Sequence, residues 1–223
     1  MRSSLRLIAP VSTVFSLVLL LLSSVNLSGQ EVPAQARRVA IDRLSRMITV
    51  YREPGESKFA LLNMKLDSIG QLSRASLGEP YEVLMMSLSE PDTISDAAGF
   101  AGRASFLYYE FPIIIDGLAH GVIRVAERNE TWEAIGGGGA DDIYNYLIYY
   151  KTFKARCLIH LGPNVIFALV EKGDEYYIIP ANPHSADVFG ASQICSTIPY
   201  KIAMRAFSKY RETGRISSGF INR

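Results

Sequence analysis

The residues best suited to catalytic chemistry are two cysteines, Cys157 and Cys195, and three histidines. A cysteine becomes a nucleophile when a neighbouring imidazole takes the thiol proton. Cys157 and His160 are three residues apart on a predicted strand, so their side chains point to opposite faces. The remaining possibility pairs Cys195 with His184 or His120 through a tertiary contact, and Cys195 with His184 is the leading candidate catalytic pair.

The same two cysteines also fit a structural disulfide. Their number is even, and an export route would deliver the chain to an oxidising compartment. A Cys157–Cys195 bond would stabilise the fold by roughly 3–4 kcal/mol if its effect is the entropy of loop closure. The alternative is two buried thiols that are not bonded to each other.

Other patterns argue against metal and phosphate chemistry. The histidines His120, His160 and His184 are scattered, and the two cysteines are far apart, so no metal site and no cofactor is predicted. The run Gly136–Gly139 lacks the Lys-Ser/Thr of a phosphate-binding loop, and two aspartates follow it closely. We therefore predict that the run is a flexible hinge between a strand and a helix.

The overall charge gives no indication of nucleic-acid binding. The 223-residue chain has 23 basic and 22 acidic residues, a net charge of +1. Binding to nucleic acid requires a concentrated basic face, which this balance does not favour.

Residues 1–36 are predicted to be a signal peptide and a short leader. Arg2 and Arg6 precede an apolar run that is densest over Val14–Leu22. Cleavage is expected after Gly29 or after Ala36, and the mature protein is then periplasmic or secreted. In the alternative, this N-terminal segment stays uncleaved and is the only part of the protein that attaches it to a membrane.

The rest of the chain predicts an α+β fold, an antiparallel sheet built of hairpins with amphipathic helices packed mainly on one face. Apolar residues at three- and four-residue spacings predict helices over Ala34–Arg52, from Asp141 onward and over Pro199–Thr213. Alternating strands and turns fill the remainder, and residues 180–195 are predicted to be a loop. We expect one domain over 37–214, with a break into sub-units near 136–142 as the alternative, and a flexible tail over 215–223.

Tyrosines are the leading candidates for binding. The adjacent pairs Tyr108-Tyr109 and Tyr176-Tyr177 lie on predicted strands, so one ring of each pair should be buried and the other exposed. The exposed rings would suit a protein interface, and ordinary packing is the alternative.

The sequence therefore favours an exported, non-enzymatic protein that binds another protein or a peptide through a sheet edge or these tyrosines. One alternative is a small hydrolase or transferase with a site around Cys195 and His184. Another is a structural protein held at a membrane by its N-terminal segment and the arginine-rich helix.

Overall fold

The computed structural model describes residues 32–53, 55–86, 97, 103–162 and 164–213. These residues belong to one unit, which extends from Glu31 to Arg223. Most of the predicted signal segment and the predicted tail lie outside the described residues.

Five α-helices and nine strands are described. The helices are α1 Ala34–Tyr51, α2 Glu56–Asn63, α3 Asp142–Tyr149, α4 Pro183–Phe189 and α5 Tyr200–Glu212, with a 3₁₀ helix at Ile69–Arg74. The strands are β1 Ser76–Leu77, β2 Tyr81–Met86, β3 Ser105–Ile115, β4 Leu118–Arg128, β5 Thr131–Gly139, β6 Lys154–Leu161, β7 Val165–Lys172, β8 Glu175–Pro180 and β9 Ile198–Pro199.

The strands form a single sheet in the order β5-β4-β3-β2-β6-β7-β8-β9, with β1 paired to β3. Among the described strands, every pairing is antiparallel except that of β2 with β6. Tight hairpins join β3 to β4 and β7 to β8, as antiparallel neighbours allow. The α+β class and the hairpin-built antiparallel sheet are confirmed.

The helices lie on both faces of this sheet, but mainly on one. One face is marked by four residues that pair in turn across adjacent strands: Tyr108, Val83, Leu158 and Ala168. The helix α3 packs on this face.

The opposite face carries α1 over the β3–β5 end, where Ala40 packs in the same cluster as Phe111. It also carries α4 and α5 over the β7–β8 end, where the Phe189 ring contacts the rings of Phe167 and Phe207.

Two local predictions are wrong. The predicted loop 180–195 contains α4, which begins at Pro183. Its N-cap is Asn182, whose side chain accepts a hydrogen bond of 2.8 Å from the Ser185 amide and so stabilises the start of the helix. The predicted hinge Gly136–Gly139 is the second half of β5, where each of the four glycines has a partner residue on β4. Glycine has a low strand propensity, and the pairing with β4 overrides it.

Candidate functional site

The most unusual feature of the described structure is the edge formed by β5. This strand has nine residues and, within the described residues, pairs with β4 alone. Residues Ala134 and Gly137–Gly139 are exposed. A long exposed edge presents a row of backbone amides and carbonyls that can hydrogen-bond another extended chain.

The turn before β5 determines which of its backbone groups point outward. Asn129 and Glu130 form a two-residue turn and have φ values of 49° and 63°. The flanking pair Arg128 and Thr131 is then a hydrogen-bonded pair. Because such pairs alternate with open pairs, Trp132 and Ala134 direct their amide and carbonyl groups away from β4.

The same reasoning applies at the far end of the strand. The Ala140 amide donates a hydrogen bond of 3.4 Å to the His120 carbonyl, so this pair also faces inward. Because hydrogen-bonded and open pairs alternate, the amides of Gly137 and Gly139 point outward and those of Gly136 and Gly138 point toward β4.

A register shift between Arg124 and Val125 on β4 separates the two halves of the β5 edge.

Packing explains only two of the four glycines. A Cβ atom on Gly137 would lie 2.7 Å from the Val122 carbonyl oxygen, and one on Gly139 would overlap the Asn63 carbonyl oxygen. At Gly136 and Gly138 a Cβ atom would meet nothing within 4 Å. Glycine inside a strand often marks a β-bulge or a place where a ligand or another backbone approaches closely. Gly136 directly follows the register shift, whereas Gly138 does not.

A buried polar cluster lies beside this edge, between the sheet and α3. Glu110 on β3 is 3% exposed and accepts a 2.7 Å hydrogen bond from Nε of Arg124 on β4. The Tyr144 hydroxyl, from α3, donates to the other carboxylate oxygen of Glu110. The Arg124 guanidinium lies 5.8 Å from the centre of the Tyr108 ring. Both Glu110 oxygens are therefore satisfied within the fold.

Burial raises the pKa of Glu110, while the hydrogen bond and charge of Arg124 act to lower it. Burial also lowers the pKa of His160, and the positive charge of Arg124 adds to this effect. A raised carboxyl pKa is a common property of general acids. Both Glu110 oxygens, however, already accept hydrogen bonds, from Arg124 and Tyr144. The geometry therefore gives Glu110 a structural role: it is a clamp, a residue whose bond to Tyr144 holds α3 on the sheet.

The sequence did not identify Glu110, Arg124 or Tyr144 as a cluster. Glu110 and Arg124 are cross-strand partners in β3 and β4, a relationship that follows from the hairpin register. A buried position opposite an arginine is the signal that could have revealed this pair.

The structure does not bring the candidate catalytic pair together. His184 is exposed on α4 and contacts the ring of Tyr210 at 6.2 Å, whereas Cys195 packs against the cluster beneath α3. Burial and the nearby charge of Asp142 raise the pKa of the Cys195 thiol. A raised pKa disfavours the thiolate that nucleophilic catalysis requires.

The predicted disulfide is wrong, since Cys157 and Cys195 are not bonded to each other. Cys157 is the partner of Leu169, and its neighbour Leu158 faces the α3 side. The Cys157 side chain therefore points to the face opposite the one on which Cys195 packs.

The two tyrosine pairs differ in how deeply their rings are buried. Tyr109 is buried beside Trp132 at a ring distance of 5.6 Å, which removes it from the candidate binding residues, while Tyr108 is half-buried. Tyr176 and Tyr177 are both half-buried. Tyr177 belongs to a connected set of rings that we term the aromatic surface: Tyr146, Tyr149, Tyr150, Phe153 and Tyr177.

Within the described residues, no group of three or more histidine, cysteine, aspartate or glutamate side chains is placed to hold a metal ion. None of the described helices is long and apolar enough to cross a membrane. Comparisons with protein-family models, curated proteins and solved structures found no match.

Proposed function

We propose that this chain is an exported, non-enzymatic binding protein that takes up an extended peptide segment as an additional strand along β5. The single observation that carries the proposal is the bare backbone of this edge. Gly136 and Gly138 have no side chain even though their surroundings would accept one. Each glycine costs a strand roughly 0.5–1 kcal/mol relative to alanine. The register shift gives a structural reason for Gly136, whereas function is the better reason for keeping Gly138.

The occupant follows from the chemistry of the edge. Outward-facing amides and carbonyls alternate with inward-facing groups within each half of the edge, at Trp132 and Ala134 before the register shift and at Gly137 after it, and an extended backbone matches this spacing. The aromatic surface is a second exposed region, with Tyr149 at 78% exposure. Its rings contact one another, whereas the β5 edge leaves hydrogen-bonding groups open among the described residues.

Export is supported by the charged and apolar pattern of the first residues, Arg2, Arg6 and Val14–Leu22. The position of Ala36 favours one of the two cleavage points. Ala36 is fully buried within α1, and Val32 packs against the same cluster. Cleavage after Gly29 would leave these contacts intact, and cleavage after Ala36 would remove them.

The test is peptide binding by a pair of variants at one position. Ala134→Pro removes an outward amide and adds a ring at the docking surface, but leaves the bonds to β4 in place. Ala134→Thr keeps the amide and is the matched control. The probe is a fluorescein-labelled nine-residue peptide in which valine alternates with glutamine, followed by anisotropy.

We expect the wild-type protein and Ala134→Thr to bind the probe and Ala134→Pro to lose at least tenfold in affinity. Thermal unfolding of both variants establishes that they fold. Equal binding by the two folded variants, or no binding by the wild type, would overturn strand addition at β5.

A further inference from the structure

The helix that covers β5 has a basic flank beside the open edge. Arg37 and Arg43 lie three residues before and after the buried Ala40, so they project about 60° to either side of it. Arg37 forms a 3.3 Å ion pair with Glu79, which follows β1 and precedes β2. Since β1 and β2 pair with β3 on the side away from β5, Arg43 is on the flank that faces the β5 edge.

This flank combines positive charge with apolar surface. Arg43 and Arg46 are exposed, and in the described part of the chain neither has an acidic partner. Val50, seven residues after Arg43, lies on the same flank and is 42% exposed. The neighbouring Val39 is partly buried against the core beneath α1.

An added strand would lie beneath this flank. It would be about 4.7–4.9 Å beyond β5, and every second side chain would point to the face that carries α1. Carboxylates at those positions would come beside guanidinium groups that, among the described residues, have no other partner. Arginine is well suited to bind carboxylates in this way.

We propose that the ligand is an acidic peptide segment, with aspartate or glutamate at the alternate positions that face Arg43 and Arg46. This proposal rests on the proposed function, because it specifies the chemistry of the strand that β5 accepts. A second copy of this chain is disfavoured as the occupant. Two β5 edges paired antiparallel would bring the basic flanks of two α1 helices together, and like charges repel.

The experiment compares three nine-residue peptides in which valine alternates with glutamate, glutamine or lysine. Their affinities are measured by anisotropy for the wild type and for the double variant Arg43→Gln, Arg46→Gln. The control double variant is Arg38→Gln, Arg52→Gln, which removes the same charge from exposed positions outside the flank. Ala134→Pro is included to report on strand addition itself.

We expect the wild type to bind the glutamate peptide about two- to thirtyfold more tightly than the glutamine peptide, the range given by two exposed ion pairs. The lysine peptide should be the weakest. The preference should disappear in the Arg43 and Arg46 variant, persist in the control variant, and shrink at high salt.

The outcomes separate the two proposals. Equal affinity of the wild type for the glutamate and glutamine peptides, with loss of both in Ala134→Pro, would overturn the acidic ligand and leave strand addition standing. Failure of the wild type to bind any peptide would overturn strand addition. A wild-type dimer in sedimentation that dissociates in Ala134→Pro would show that a second copy occupies the edge and would overturn the acidic ligand.

Discussion

Gly137 lies so close to Val122 on the adjacent strand that a Cβ atom at residue 137 would be 2.7 Å from the Val122 carbonyl oxygen. Gly138, the next residue, has open space where its side chain would be. These two glycines therefore have different reasons for lacking a side chain. The difference yields a direct test of which glycines the fold requires.

Gly138→Ala should raise the free energy of unfolding by about 0.5–1 kcal/mol, because alanine loses less backbone entropy in a strand. Gly137→Ala should lower it, because the new Cβ atom forces β5 and β4 apart. Urea unfolding, followed by Trp132 fluorescence, measures both. Equal effects of the two substitutions would contradict the assigned packing.

Tyr144→Phe should destabilise the protein by about 1–3 kcal/mol. The substitution removes the hydroxyl that donates to Glu110 and leaves a buried carboxylate oxygen without its partner. Tyr149→Phe is the matched control, since that ring is on the same helix and 78% exposed. An equal loss of unfolding free energy in both variants would contradict the role of the Tyr144–Glu110 hydrogen bond in holding α3 on the sheet.

Glu110 should also make stability depend on pH. Burial raises its pKa in the folded protein, so the folded state holds the proton more tightly than the unfolded state does. Its contribution to stability is therefore complete below the unfolded pKa of about 4.3 and is lost as the pH rises through the folded value. Glu110→Gln cannot ionise and removes this dependence.

The free energy of unfolding of the wild type minus that of Glu110→Gln should thus fall as the pH rises from about 4 toward neutrality. Urea titrations at several pH values measure the difference. A difference that grows with pH would show that the Arg124 ion pair outweighs burial.

Glu130→Gly should stabilise the β4–β5 hairpin by about 1 kcal/mol. Glu130 has φ of 63°, a left-handed conformation that costs residues other than glycine roughly 1–2 kcal/mol. Glu133→Gly in the middle of β5 is the control and should destabilise. The melting temperatures of the two variants, measured by thermal unfolding, test this prediction. Stabilisation by Glu133→Gly would contradict the assignment of Glu133 to the interior of β5.

Processing of the N-terminus is tested by expressing the full chain in a host that exports it. N-terminal sequencing of the exported protein should begin at Gln30. A recombinant chain that begins at Arg37 should be less stable than one that begins at Gln30 by roughly 1–2 kcal/mol, because it lacks Val32 and the buried Ala36. An exported protein that begins at Arg37 and is as stable as the chain that begins at Gln30 would contradict the predicted cleavage after Gly29.

Local patterns predicted much of the fold. The turn Asp116-Gly117 follows from two residue types that accept positive φ, and both have it. The helix α1 follows from its apolar spacing. The role of Gly136–Gly139 could not be predicted, because it depends on the neighbouring β4 and on Asn63, which is distant in sequence.

The candidate site was less accessible to prediction. Glu110 and Tyr144 are separated by 34 positions, and no local pattern connects them. The prediction of a Cys157–Cys195 bond was wrong for a similar reason. The face to which Cys157 points depends on the register of β6 with β7, and the position of Cys195 depends on the segment between α4 and β9. The sequence predicts binding at a sheet edge, but only the strand order identifies that edge as β5.

The most direct test of strand addition is residue-resolved amide hydrogen exchange of the protein with and without the glutamate peptide. Bound peptide should protect the outward amides of Trp132, Ala134 and Gly137, while those of Gly136 and Gly138, already bonded to β4, change little. This alternating pattern is the predicted result. Protection confined to the aromatic surface, or no new protection in β5 at saturating peptide, would contradict the account.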